Sequence, residues 1–269
     1  MQNWDVSIAG LPVDRERTNR LVDLHSHIRC TRDSSNVRVP IKGGVPLQLA
    51  NTKNTKVYEA TAKPSWNNWF PSRQVPLPEV VYILSNTDEQ WFGVDPVRGL
   101  YYECSAIGPT LFGFPAPWRA DRISVWDINR DWRTQRTGIT AAKIPLWPMV
   151  PKVEKLLKGE PLGHSLHFVA AGYQGGDWVG IARGTDGPFD DHPLRSGERL
   201  RLRKDRIPTV RNAQEQCIVD AMLNEGLILT DRTRWDDLTP GHSIRLPADA
   251  RVDIDLDIEI TDFEVVVQN

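Results

Sequence analysis

Two carboxylates and a histidine, Glu103, Asp127 and His164, are the residues whose types and settings suit acid–base chemistry. Glu103 lies in GLYYECSAI, where Tyr101, Glu103 and Ser105 alternate with Tyr102, Cys104 and Ala106. If Tyr102, Cys104 and Ala106 face a core, period-2 geometry turns Glu103 outward beside an aromatic ring. Asp127 ends the run ADRISVWD, a candidate neighbouring strand. Two carboxyl groups flanking a glycosidic bond serve as general acid and as base or nucleophile. His164, helped by a neutralising Arg, would instead be the proton-abstracting base of a lyase. The competing reading is that outward polar residues on strands are simply solvated, and no spacing here fixes how far apart the groups lie.

Aromatic side chains give the same region a binding character. Ring faces stack on the apolar C–H face of a pyranose while Asp, Asn, Arg and His satisfy its hydroxyls, so a sugar site needs both kinds on one surface. Trp118, Trp126 and Trp132 accompany Arg119, Asp121, Asp127 and Arg133, and the loop SWNNWFP adds Trp66 and Trp69 beside Asn67 and Asn68. With ten tryptophans in 269 residues, at least one is expected at a binding surface, the others being core or loop-packing residues. The candidate glycan-binding set is therefore Tyr101, Trp118, Arg119, Trp126, Trp132, Trp66 and Trp69.

Other chemistries fit less well. Asp23-Leu24-His25-Ser26-His27 resembles the DxHxH metal motif of amidohydrolases, but helical periodicity around it would swing residues two apart to different faces. No functional metal is expected at His25 and His27, and no cofactor. GHSLH and GHSIR lack the Gly two residues after Ser that a nucleophile elbow needs, His167 and Arg245 standing there instead. Val252, Ile254, Leu256, Ile258 and Ile260 alternate with Asp253, Asp255, Asp257 and Glu259. A strand spreads such acids along a line rather than wrapping them around calcium, so a solvated acidic edge is expected.

The elements that must carry these residues read as mainly β. Short extended runs such as KVYEAT, VVYIL, GLYYECSAI, HSLHFVAAG and DWVGIARG alternate with Gly, Pro, Asn and Asp clusters, and 20 prolines argue against long helices. The expected fold is a two-sheet β-sandwich, jelly-roll or lectin-like, in one domain over residues 1–269, with residues 1–75 as a helix-and-loop embellishment. Leu21, Leu24 and Ile28 predict an amphipathic helix over 13–29. Pro151–Lys158 predicts a short helix ended by Gly159, and Arg211–Glu225 a second ended by Gly226, with Ala213, Cys217, Ile218, Ala221 and Met222 on one face.

Bulk properties exclude some partners. A formal charge of -2 offers no general attraction to nucleic acid, and RSGERLRLRKDR reads as a half-buried strand with a basic outer face. No run approaches the ~20 apolar residues of a membrane span. Cys30, Cys104 and Cys217 are odd in number and far apart, which argues against a disulfide framework. The start MQNWDVSIAG has neither a basic nor an apolar leader segment, so no secretion signal is expected.

From about residue 76 onward, the ordered segments VPLPE, GVDPVRGLYYEC, WRADRISVWDIN, GITAAKIPLWPMVP, KLLKGEPLGHSLHF, SGERLRLRKD, AMLNEGLILTDR and DFEVVV resemble a family of actinobacterial β-sandwich proteins. Related domains occur in tail proteins of phages infecting those bacteria. Gly138, Ala141, Pro145, His164, Leu166, Phe168, Arg199–Leu202, Gly226 and Asp231 match its pattern in order, whereas GIARGTDG replaces a His-bearing segment. The resemblance implies the fold and assigns no catalytic residue. It leads to three expectations: a phage tail-associated or surface-acting protein that recognises host-envelope polysaccharide, a glycoside hydrolase or polysaccharide lyase on the same scaffold, or a purely structural virion subunit contacting other tail proteins. The expected location is the virion tail if the chain is phage-encoded, and otherwise the cytoplasm.

Overall fold

A computed structural model describes residues 7–24, 27–29, 47–50, 58–60, 73–78, 80–81, 83, 90–109, 118–120, 122–135, 138–170, 172–232, 242–247, 249 and 251–268. The first helix, α1 (Arg15–Arg20), starts where the Asp14 side chain accepts from the Arg17 amide at 3.0 Å. A 3-10 turn over Leu21–Leu24 follows, and the chain then enters strand β1 (His27–Arg29). The helix expected over 13–29 is therefore corrected to about half that length. The reason is tertiary: β1 pairs with two other strands, and Ile28 lies opposite Ile258, whose side chain is buried. His27 thus sits on a strand, which removes the helical argument against a chelate. His25 and the His27 side chain lie outside the described residues.

Strands β2 (Leu47–Leu49), β5 (Trp91–Asp95), β6 (Leu100–Ser105) and β9 (Arg122–Asp127) form a four-stranded sheet in the order β2-β5-β6-β9. Small ribbons pair β3 (Tyr58–Ala60) with β4 (Arg73–Val75), β7 (Gly108–Pro109) with β8 (Trp118–Arg119), and β11 (Gln174–Trp178) with β12 (Arg195–Ser196). The larger sheet has seven strands: β16 (Asp257–Glu259), β1, β15 (His242–Ile244), β10 (Leu166–Ala170), β14 (Leu227–Arg232), β13 (Arg199–Leu202) and β17 (Phe263–Val265). The molecule is mainly β, with few helices and several sheets. It is not purely antiparallel, since β10 with β14, β1 with β15 and β2 with β5 run parallel.

Two short helices match their sequence signals. α2 (Val153–Lys158) stops at Gly159 in the left-handed conformation. α3 (Ala213–Asn224) starts at Asn212, whose side chain accepts from the Glu215 amide at 2.9 Å, and it buries Cys217, Ile218, Ala221 and Met222 against the seven-stranded sheet. Ala213, expected on that face, is exposed. Gly226 ends α3 at φ +76°, donating its amide to the Ala221 carbonyl at 2.7 Å, and β14 begins at the next residue. The C-terminal alternation also holds: Val252, Ile254, Leu256, Ile258 and Ile260 are buried and the acids between them exposed. Hydrogen-bonded pairing, however, covers only Asp257–Glu259 of that stretch.

Both faces of the four-stranded sheet are covered. Trp91, Tyr102, Cys104 and Ile123 belong to one apolar cluster, and Phe92, Tyr101 and Trp126 to another. The second cluster is closed by Ile139, Ala142, Ile144, Leu146, Met149 and Val150, so the 138–150 segment packs on that face. The same segment reaches the seven-stranded sheet, where the Ala142 amide donates to the Thr230 carbonyl at 2.9 Å and Ile228 joins the cluster.

Glycine at 226 is required twice over, by its positive φ and by space. A Cβ there would stand 2.5 Å from the Leu200 carbonyl oxygen and 2.3 Å from the Ile8 side chain. At Gly176, also at positive φ, nothing lies within 4 Å. Gly226→Ala is expected to lower unfolding free energy by about 2–4 kcal/mol, against about 1 kcal/mol for Gly176→Ala. Equal losses on urea denaturation would contradict this account.

Candidate functional site

Glu103 stands at the middle of β6 with no exposed surface. In the ladder it lies opposite Ser124 on β9 and Phe92 on β5, while Tyr101 lies opposite Trp126 and Val94. Paired residues two apart share a face, so Glu103, Tyr101 and Trp126 all point at the 138–150 segment. The expectation that Glu103 looks outward is corrected: the face opposite Tyr102 and Cys104 is core as well.

Its carboxyl group is surrounded by donors. Oε1 accepts from the Leu146 amide at 2.7 Å and from the Tyr101 hydroxyl at 2.9 Å, and Oε2 from Trp126 Nε1 at 3.1 Å. The Tyr101 oxygen in turn accepts from the Trp147 amide at 3.2 Å. Burial pushes the carboxyl up to about 7, against the opposing pull of the bonds from Leu146, Trp126, Tyr101 and the Ile139 backbone. Burial, and then the adjacent Glu103, push the Tyr101 hydroxyl well above its ordinary range.

Asp127 does not join Glu103 in a catalytic pair. It lies opposite Leu100, on the other face of the sheet and three residues further along, about 10 Å in strand distance. Its Oδ1 accepts from the Asn129 amide at 2.9 Å, and its Oδ2 lies 3.1 Å from Arg130 Nε. His164 is elsewhere again. It is buried just before β10, its Nδ1 2.9 Å from the Ser165 carbonyl oxygen. Arg199 bridges Ser165 Oγ and the Glu225 carbonyl at 2.6 and 2.5 Å, securing the end of α3 rather than facing a ligand.

What the fold does assemble is an aromatic cleft of about 110 Å³ at the end of β5, β6 and β9. Tyr101, Trp126, Trp132 and Trp147 line it with Pro145 and Pro148, and Asp127 and Arg130 stand among its lining residues. Tyr101, Trp126 and Trp132 are buried and offer the cleft only part of each ring, whereas Trp147 is half-exposed and Arg130 mostly exposed. Sequence reasoning missed Trp147. The signal was its place between Pro145 and Pro148: Trp147 opens a short 3-10 helix, Trp147–Met149, with proline in its first turn. Trp66 and Trp69 lie outside the described residues, as do the side chains of Trp118 and Arg119 on β8. Another hollow, of about 410 Å³, is more polar and is lined by residues that include Thr18, Asn19, Arg203, Arg206, Glu259 and Asp262, without aromatic rings.

A second buried titratable group lies on the larger sheet. His167 on β10 contacts Thr230 Oγ1 through Nε2, while its buried Nδ1 has no hydrogen-bond partner. Burial, and then the charge of Arg245, hold its pKa well below 6.5. No protein-family model, curated protein or solved structure matches the chain.

The two buried groups pull stability in opposite directions with pH. Between its ordinary 4.5 and its folded value of about 7, Glu103 keeps a proton that the unfolded chain has lost, so its contribution falls as pH rises. His167 stays neutral where the unfolded chain is protonated, so its contribution falls as pH drops below 6.5. Each slope reaches about 1.4 kcal/mol per pH unit at most. Between pH 4.5 and 6.5 they oppose one another. Urea denaturation over that window should show acid destabilisation in Glu103→Gln that exceeds the wild type's, and the reverse trend in His167→Gln. Parallel profiles for all three proteins would refute the assignment.

Proposed function

We propose that this protein recognises cell-envelope polysaccharide of an actinobacterial host, as a phage tail-associated or otherwise surface-acting protein, through the cleft around Trp147. The observation that carries the reading is the convergence of four aromatic side chains on one small hollow, with Asp127 and Arg130 at its rim among the lining residues. A ring-sized apolar cleft takes the C–H face of a sugar, and the mostly exposed Arg130 at its rim offers donors to the sugar's hydroxyls. At about 110 Å³ the cleft suits a single sugar ring of a longer chain, the remainder lying along the surface. The sequence resemblance to actinobacterial β-sandwich proteins and phage tail domains supports the setting. A two-sheet sandwich, with the 138–150 segment between the four- and seven-stranded sheets, is the architecture proposed with it.

One set of observations favours a structural virion subunit as a second reading. Leu49 on the edge strand β2, Val97 in the turn after β5, and Val80 are 67%, 80% and 56% exposed. An apolar side chain on an open sheet edge suits contact with another chain. An enzyme on the same scaffold draws less support, because Glu103, Asp127 and His164 do not converge.

Trp147→Ala is expected to weaken binding to purified host-envelope polysaccharide by about 1–2 kcal/mol, roughly 5- to 30-fold, with the fold unchanged by circular dichroism. Unchanged binding would remove the cleft from the account. Oligosaccharide release by wild-type protein, lost in Asp127→Asn, would favour the enzyme. No affinity for any envelope fraction would leave the structural subunit.

A further inference from the structure

We infer that Glu103 is the positioning residue of the aromatic cleft, and that a proton on its carboxyl group loosens the wall that carries Trp147. The inference rests on the glycan-binding reading for its effect on a ligand, though not for the coupling itself. Two cleft-lining rings, Tyr101 and Trp126, donate directly to Glu103, and so does Leu146, between the lining residues Pro145 and Trp147. One side chain therefore sets both walls, that of the sheet and that of the 138–150 segment.

The Tyr101 hydroxyl is the pivot. An ionised carboxylate only accepts, so the Tyr101 hydrogen points at Glu103 and the oxygen's lone pairs remain for the Trp147 amide at 3.2 Å. A protonated Glu103 brings a hydrogen of its own. The Leu146 and Ile139 amides and the Trp126 indole are donors only, so among the described residues the one acceptor within its bonded set is the Tyr101 oxygen. The Tyr–Glu bond then reverses, the tyrosine hydrogen turns away, and the contact to Trp147 is lost or weakened.

The surroundings leave Glu103 as the group that titrates here. On β6 its ionisable neighbours are Tyr101 and Cys104, both raised by burial and by Glu103 itself, and Tyr102, raised by burial and then by Asp95. On β9 Ser124 lies opposite it, and Arg122 stands one pair further along the same face, while Asp127 is on the reverse face. β5 presents Phe92, and the seven-stranded sheet contributes Ile228. The 138–150 segment has one ionisable side chain, Lys143, whose electrostatic neighbours are Arg122, Asp186 and Asp231.

The test follows the Trp126 indole N–H of the free protein by NMR from pH 5.5 to 8.5, alongside affinity for host-envelope polysaccharide. A single indole titration near pH 7 is expected in the wild type, and none in Glu103→Gln, whose carboxamide can also donate to Tyr101. Binding should weaken about two- to tenfold on the acid side in the wild type, and Glu103→Gln should stay at the weaker level throughout. An indole signal that does not move, or that moves identically in the variant, overturns the inference. Should the variant not fold, the wild-type titration alone decides. An intact indole titration without glycan binding at any pH sinks the proposed function and spares the coupling.

Discussion

The 138–150 segment is held between two sheets by a few directional contacts, and the candidate site depends on them. On one side the Ala142 amide bonds to the Thr230 carbonyl of the seven-stranded sheet. On the other the Leu146 amide bonds to the buried carboxyl of Glu103. Between these anchors the segment has no ladder of its own, so its peptide groups need partners from elsewhere. It closes on itself through Thr140, whose hydroxyl accepts from the Ile144 amide and donates to the Ile144 carbonyl. Lys143 takes a left-handed conformation at φ +57° within that closure, a strain of about 1 kcal/mol that the surrounding contacts over-determine.

A buried carboxyl group with neutral donors and no bonded cation is costly to ionise, which is why its proton equilibrium moves toward neutrality. Filling that position with an apolar residue would leave the Leu146 amide and the Trp126 indole without acceptors. The position therefore serves orientation more than stability. The result is a cleft whose rings are fixed by hydrogen bonds at their edges, which leaves parts of their apolar surfaces available.

The arrangement also separates residues that look like partners along the chain. Glu103 and Asp127 lie on adjacent strands, yet odd and even ladder positions send them to opposite faces. His164 lies just before β10 of the other sheet, near the end of α3, and its neighbours Ser165 and Arg199 are engaged in closing that corner. Rings from β6, β9 and the 138–150 segment thus converge, whereas Glu103, Asp127 and His164 do not.

Local signals determined local structure. The terminating glycines 159 and 226 marked the ends of α2 and α3, and strict alternation from Val252 to Ile260 gave the correct buried face, because left-handed turns and period-2 sidedness are properties of a few consecutive residues. The alternation around Glu103 was equally legible, but it defines two faces without saying whether the second meets water. Only the packing of the distant 138–150 segment decided that, and it turned an expected surface acid into a buried anchor. In the same way, the helical spacing of Leu21, Leu24 and Ile28 was overridden once β1 found partners more than 200 residues away. Trp147 became a cleft residue for the same reason: the value of a side chain as a binding surface depends on what the rest of the chain brings alongside it.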